Sequence, residues 1–203
     1  MATRPELRKR ARDLLGGNIF KAEWLFALLA SAIASAILSI SGFTVILPLI
    51  LMGPVTIGLY GYFLARIRKT APHDDLGQLF GGFKGDLSGN IITGLLITLY
   101  TWLWSILFVI PGIVKFYSYS MALYIKIDHP EYTATQAITE SRKLMSGHKM
   151  ELFLLDLSFI GWYIVGSICF SVGVLWVVPY HYAARTEFYA ELVGESVVVD
   201  AAA

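Results

Sequence analysis

Charge is scarce in this chain. Of its 203 residues only 15% are Asp, Glu, Lys or Arg, where a soluble domain carries about 25%. A fold surrounded by water would run short of polar side chains for its surface, because 56% of the residues are hydrophobic and mean hydropathy is +0.63. Cysteine is almost absent. Cys169 stands alone, which excludes an intrachain disulfide framework and a cysteine-built metal site. His73, His129, His148 and His181 are scattered without ligand spacing, so no metal site is expected. A net charge of +1 supplies no global field for nucleic acid. There is no His-Glu-x-x-His, no phosphate-cradling Gly-rich loop and no Gly-x-Ser-x-Gly elbow, so neither a catalytic residue nor a cofactor is expected.

Long apolar runs are what the chain has instead. Segments at about 23–41, 45–65, 89–110, 112–127, 150–170 and 173–192 are apolar, and several reach the roughly 20 residues that a helix needs to cross a bilayer core. Ala30-Ser31-Ala32 and Ala34-Ser35-Ala36 resemble signal-peptide cleavage sites. They lie inside the first apolar run behind a long charged arm, so that run is expected to stay as a first span. The fourth segment is short and holds Lys115, expected at its outer end as a headgroup anchor.

The connectors alternate in character. Ser41-Gly42-Phe43-Thr44, Pro111-Gly112 and Ser171-Val172-Gly173 are short and uncharged. The others are long and basic: Arg4, Arg8, Lys9, Arg10, Arg12 and Lys21 in the N-terminal arm, Arg66, Arg68, Lys69 and Lys84 after the second segment, Lys126, Arg142, Lys143 and Lys149 after the fourth. Lys and Arg accumulate on the cytoplasmic side of membrane proteins. The pattern predicts six spans in three outward hairpins, multi-pass in the cytoplasmic membrane, with the N- and C-termini inside and a short tail over 194–203.

Each inner connector also carries an amphipathic stretch, expected to lie in the membrane interface. The first, about 3–16, opens at Thr3-x-x-Glu6, with a stripe of Leu7, Ala11, Leu14 and Leu15 and a stop at Gly16-Gly17. The second, about 75–84, opens at Asp75-x-x-Gln78 with Leu76, Leu79, Phe80 and Phe83. The third, about 133–147, opens at Thr133-x-x-Gln136 with Ala134, Ala137, Ile138, Ser141, Leu144 and Met145, and stops at Gly147. Interfacial helix, glycine and outward hairpin thus recur three times, suggesting a pseudo-threefold repeat. Arg12-Asp13-Leu14-Leu15-Gly16-Gly17 parallels Arg142-Lys143-Leu144-Met145-Ser146-Gly147, and Pro54, Pro111 and Pro179 share following positions Ala65, Ala122 and Ala190.

Ionisable groups deep in apolar helices are costly, at about 2.5–3.5 kcal/mol each on insertion scales, and so point to function. Asp156, Arg185 and Glu187 form the candidate cluster: Asp156 and Arg185 fall at similar depths on consecutive antiparallel spans and are expected to pair, with Glu187 competing. His181, Tyr119 and Tyr182 are candidates for lining a polar cavity. Ala27, Ser31, Ser35 and Ser39, at four-residue spacing, are read as a ridge for close helix approach within the bundle, in a homo-oligomer or against a membrane-protein partner.

The segments Ile110-Pro111-Gly112-Ile113-Val114-Lys115, Tyr117-Ser118-Tyr119-Ser120-Met121-Ala122, Ser141-Arg142-Lys143-Leu144-Met145-Ser146-Gly147-His148-Lys149 and Glu151-Leu152-Phe153-Leu154-Leu155-Asp156-Leu157-Ser158-Phe159 resemble the bacterial integral membrane family called domain of unknown function 975. The resemblance implies a membrane protein and transfers no catalytic residue. That family is distantly similar to the membrane domain of some glycerophosphodiester phosphodiesterases, which implies a link to lipid. The functions expected are a non-enzymatic module that binds or moves a lipid or amphiphile, with membrane lipids as partners, or a structural partner of another membrane protein; a lipid-processing enzyme ranks third. Membrane-class composition predicts that the chain leaves cell membranes only with detergent, and recovery of a soluble monomer without it would overturn the reading.

Overall fold

The computed structural model describes residues 3–16, 22–40, 46–70, 75–107, 109–168 and 172–194. All regular elements among the described residues are helical: α1 (Arg4–Leu14), α2 (Ala22–Ile40), α3 (Ile46–Ile67), a 3₁₀ segment (Leu76–Phe83), α4 (Leu87–Leu107), α5 (Val109–Tyr119), α6 (Ala122–Asp128), α7 (Ala134–Leu144), α8 (Lys149–Ile168) and α9 (Val172–Leu192). Among the described residues three helices are long and apolar enough to cross a membrane, at Leu47–Ile67, Leu87–Ile106 and Lys149–Ser167, and Ala22–Ile37 is a shorter apolar helix. The expected turn at 41–44, Ser171 and the tail beyond Gly194 lie outside the described residues.

Around a buried apolar core, many large hydrophobic side chains also face outward. Trp102, Ile106 and Ile110 are 68%, 67% and 76% exposed, and α8 presents Met150, Leu157, Ile160, Trp162, Ile164 and Val165 outward. Asn90, Thr93, Ser118, Lys126, Ser141, Thr186 and Glu187 are buried. Water does not reward that arrangement; hydrocarbon does.

The chain divides into two compact units. The first comprises Met1–Ala32, Tyr62–Leu76 and Leu154–Ala203. In it α1 packs on α9 through Leu7, Ala11 and Leu15, all buried, so its apolar stripe meets protein. The capping box forms as the sequence reads it: the Thr3 backbone N–H and hydroxyl both donate to Glu6 Oε2, at 2.6 and 2.8 Å, holding that carboxyl below its ordinary range. Gly16, at φ +85°, ends the helix. Arg66, near the end of α3, donates to the Leu14 carbonyl at 2.6 Å, an acceptor that the end of α1 leaves open, and to the Glu23 carbonyl at 3.2 Å.

The second unit comprises Ile33–Gly61 and Gly77–Phe153. The expected amphipathic helix at 75–84 is a 3₁₀ segment pressed backbone-first against α3. A Cβ on Gly58 would run into the Leu79 carbonyl, and one on Gly82 into the Pro54 carbonyl. Glycines allow this contact and weaken α-helix at the same place. The Asn90 amide donates to the Gly82 carbonyl at 2.8 Å and ties the segment to α4.

The expected bend at Pro111-Gly112 is displaced. Both residues lie inside α5, with Pro111 in its first turn, where the missing N–H leaves no bond unmade. Gly112 lies against α4, and a Cβ there would come 2.8 Å from Ser105 Cα. The expected span over 112–127 is likewise two helices, α5 and α6, parted at Ser120-Met121. Ser141 on α7 holds the break: its hydroxyl donates to the Ser118 carbonyl at 2.8 Å and accepts from the Met121 N–H at 3.2 Å. α7 is an amphipathic helix as expected, capped by Thr133 and Gln136, but its stripe of Ala134, Ala137, Ile138 and Ser141 is buried in packing against α4, α5 and α6. Ala65 and Ala190 lie inside unbroken helices while Ala122 begins α6, so the middle copy of the proposed repeat departs from the other two.

Lys126, with a side chain 0% exposed, fastens this unit. Its ammonium donates to Asp86 Oδ2 at 2.8 Å, the Pro130 carbonyl at 2.7 Å and the Tyr132 carbonyl at 2.6 Å, using all three of its protons. Asp86 also accepts from the Gly89 N–H and the Ser88 hydroxyl at the head of α4. The Lys126 hydrogen bond, followed by these two, lowers the Asp86 carboxyl from 3.8 to about 2. A depressed carboxylate contributes stability that is complete above its ordinary pKa and is lost as pH falls toward about 2. Melting of detergent-solubilised protein is therefore expected to soften from about pH 4 toward pH 2, less so in Asp86→Asn. Lys126→Met should lower the melting temperature at neutral pH, since it takes the donor from the Pro130 and Tyr132 carbonyls and from Asp86 Oδ2; an unchanged melting temperature would remove Lys126 as a fastening.

Candidate functional site

α8, from Leu154 onward, and α9 belong to the first unit and meet through glycine. A Cβ on Gly166 would lie 2.8 Å from the Val174 nitrogen, and one on Gly173 would lie 2.7 Å from Gly166 Cα. From that crossing, Asp156 is about 15 Å back along α8, while His181 and Arg185 are about 12 and 18 Å along α9, at 1.5 Å per residue. The carboxylate thus falls between two cationic positions one helical turn apart on a single face.

The structure brings these three side chains together. His181 Nε2 lies 2.8 Å from Asp156 Oδ1, and Arg185 Nε lies 3.7 Å from the same oxygen. The nearer partner is therefore the histidine, which the sequence reading had placed as cavity lining. On the other side of the ring, Nδ1 lies 3.0 Å from the Tyr163 hydroxyl. Phe159 stacks on the imidazole with centroids 4.6 Å apart and planes at 23°. Asp156, Phe159 and Tyr163 follow one another at spacings of three and four, so a single face of α8 presents carboxylate, aromatic floor and phenol to one imidazole. The side chains of His181, Asp156 and Arg185 are 19%, 16% and 14% exposed, enclosed but reachable.

This geometry satisfies the imidazole in either protonation state. Neutral, it donates from Nε2 to Asp156 and accepts the Tyr163 proton at Nδ1; protonated, it donates at both nitrogens. The chain Tyr163–His181–Asp156 can hand a proton along without rearranging, and Arg185 holds a positive charge beside it. Among the described residues no group of three His, Cys, Asp or Glu side chains is placed to hold a metal ion.

Other candidates fall elsewhere. Glu187 is 3% exposed and does not enter the cluster; the charges acting on it are those of Arg10 and Glu191. Two positions after Arg185 a helix has turned by about 200°, so Glu187 faces away from Asp156. Tyr182 packs on Phe63, with centroids 6.3 Å apart. Tyr119 belongs to the second unit, where it packs with Tyr100, Ala122 and Ile138. On α2 the buried stripe is Ala27, Ala30, Ser31 and Ala34, with Ser35 exposed. A four-residue spacing drifts about 40° per step, so the ridge leaves the packed face; the Ser39 side chain lies outside the described residues.

Lys115, expected as an outer headgroup anchor, lies with its ammonium 4.6 Å from the centre of the Trp104 ring on α4.

Sequence reasoning missed Tyr163 and the buried Lys126. The i, i+4 pairing of His181 with Arg185 was a legible signal for the first site; nothing in the residues around Lys126 marks it from the surrounding basic connector.

Residues 109–196 match the family model described as protein of unknown function (DUF975). The match runs from α5 through α9 and contains every member of the Asp156 cluster, while α1 to α4 lie outside it. Comparison with curated proteins and with solved structures finds no match, so the expected distant likeness to glycerophosphodiester phosphodiesterases is not shown.

Asp156→Ala leaves His181 and Arg185 without their shared acceptor and is expected to destabilise the detergent-solubilised protein by up to about 3 kcal/mol, with Asp156→Asn losing less. A melting temperature equal to wild type for Asp156→Ala would remove the cluster.

Proposed function

We propose that this chain is a multi-pass protein of a bacterial cytoplasmic membrane that binds or moves a lipid or other amphiphile without reacting with it. In this reading six apolar segments cross the bilayer, the fourth as the two helices α5 and α6, and both termini are cytoplasmic. The basic N-terminal arm supports the side of the N-terminus. Apolar exposure along α4, α5 and α8 supports immersion in lipid.

The observation that carries the functional part is the Asp156–His181–Arg185 cluster. A bundle that needed only stability would fill that depth with apolar side chains, since a buried ion pair rarely improves on them. Three ionisable groups on two apolar helices, still partly open, suit a polar headgroup that enters beside hydrocarbon. The break between α5 and α6 adds a site at which backbone is held by a side chain and can be released. The assembly-partner alternative is weakened, because Ala27 and Ser31 of its intended ridge are buried.

The test is movement of fluorescent phospholipid between leaflets of reconstituted vesicles. Wild-type protein is expected to raise the rate above protein-free vesicles, and Asp156→Asn to lower that gain about tenfold, equivalent to about 1.4 kcal/mol. Equal rates with folded wild type and folded Asp156→Asn would sink the reading.

A further inference from the structure

The surroundings of His181 decide where its proton sits. Among the described residues its hydrogen bonds and ring contacts all come from α8: Asp156 at Nε2, Tyr163 at Nδ1 and Phe159 against the ring. A carboxylate accepts and cannot donate, so Nε2 carries the proton of the neutral imidazole. Nδ1 is then a bare acceptor, and the Tyr163 hydroxyl, 3.0 Å away, donates to it. That hydroxyl has no second hydrogen-bond partner among the described residues.

Protonation of the ring reverses this bond. A proton taken from water onto Nδ1 makes that nitrogen a donor, and the Tyr163 oxygen becomes its acceptor. The Tyr163 O–H then rotates away and is left with nothing in the chain to donate to. The same event changes the charge of the cluster. Arg185 Nε lies 3.7 Å from Asp156 Oδ1, so carboxylate and guanidinium balance beside a neutral imidazole, and an imidazolium leaves one positive charge in excess. The titratable groups around the ring are Asp156 and Tyr163 from α8 and Tyr182 and Arg185 from α9, and phenols are uncharged near neutral pH. From α1, Arg10 is taken by Glu191 at 2.9 Å. Trp24 of α2 and Phe63 of α3, which meet Tyr180 and Tyr182, carry no charge.

An unbalanced charge on apolar helices is costly until a counter-ion joins it. Here an excess cation and a released O–H donor arise together, and both suit an anion with acceptor oxygens. A phosphodiester has one negative charge and such oxygens, and a lipid carries it beside hydrocarbon, which Leu157, Ile160 and Ile164 of α8 face outward to meet.

We propose that His181 is a proton-operated switch: protonated, it releases the Tyr163 hydroxyl to donate to the phosphate of an anionic phospholipid, and neutral, it takes that donor back. The switch rests on the lipid reading above and adds the lipid's charge and its control by pH. Proton and lipid favour each other's binding by linkage, so affinity rises as pH falls, by up to about tenfold per pH unit where binding takes up a full proton.

The experiment is calorimetric titration of the full-length protein in detergent with short-chain phosphatidylglycerol between about pH 5 and about pH 8. Buffers of different ionisation enthalpy count the protons taken up. Wild type is expected to bind about tenfold or more tighter at the acid end, with proton uptake on binding. His181→Gln keeps a donor toward Asp156 but takes no proton, and should show neither effect. Tyr163→Phe should weaken binding about tenfold at the acid end and little at the other, a split that loss of packing would not produce. Should His181→Gln fail to fold, Tyr163→Phe carries the test. Equal pH dependence in wild type and His181→Gln overturns the switch, as does unaltered affinity in folded Tyr163→Phe. Phosphatidylcholine binding with the same pH dependence overturns the requirement for net charge, and inorganic phosphate binding as tightly as the lipid overturns the lipid as its source. Lipid binding that ignores pH, with leaflet movement still lowered by Asp156→Asn, overturns the switch and leaves the lipid reading standing. No phosphatidylglycerol binding at any pH overturns the switch, and the leaflet rates judge the lipid reading separately.

Discussion

In hydrocarbon a polar group has no water to fall back on, and a donor, acceptor or charge buried there is met from within the chain. That constraint accounts for the least helix-like parts of the fold. The gap between α5 and α6 frees the Ser118 carbonyl and the Met121 N–H, and one serine from α7 meets both. Arg66 closes the end of α1 by offering its guanidinium to the Leu14 carbonyl. Lys126 is buried because an aspartate and two carbonyls surround its three protons. In each place a side chain does what solvent does in a soluble protein.

The same constraint separates what could be read from the residues from what could not. Helix positions followed from apolar runs and caps, because capping boxes and glycine stops are local chemistry: Thr3 with Glu6, Thr133 with Gln136, Gly16 and Gly147 all act as their types suggest. The break at Ser120-Met121 was illegible. It depends on Ser141, twenty residues further on, and no local pattern reveals that bond. The bend expected at Pro111-Gly112 is helix for a plain reason: proline marks both turns and first helical turns, and only the close approach of Gly112 to Ser105 distinguishes them here.

The charged cluster was half legible. Depth alone brought Asp156 to Arg185, because two antiparallel helices count residues in opposite directions from one crossing. Counting depth ignores azimuth. Azimuth puts His181 on the face of Arg185, turns Glu187 away from it, and sets Phe159 and Tyr163 around the imidazole. On α2 azimuth divides the serine ridge, with Ala27 and Ser31 buried and Ser35 exposed.

Lys115 and Lys126 lie eleven residues apart and show how surroundings decide the meaning of a charge. Lys126 has three oxygen acceptors within 2.8 Å and no exposed surface, so nothing further can approach its ammonium. It is saturated, and its effect is on stability. Lys115 rests on an indole face, which offers attraction without accepting a proton, and the other charges acting on it are positive. A buried cation with all donors used is a brace; a cation resting on an aromatic face is held without spending its hydrogen-bond donors.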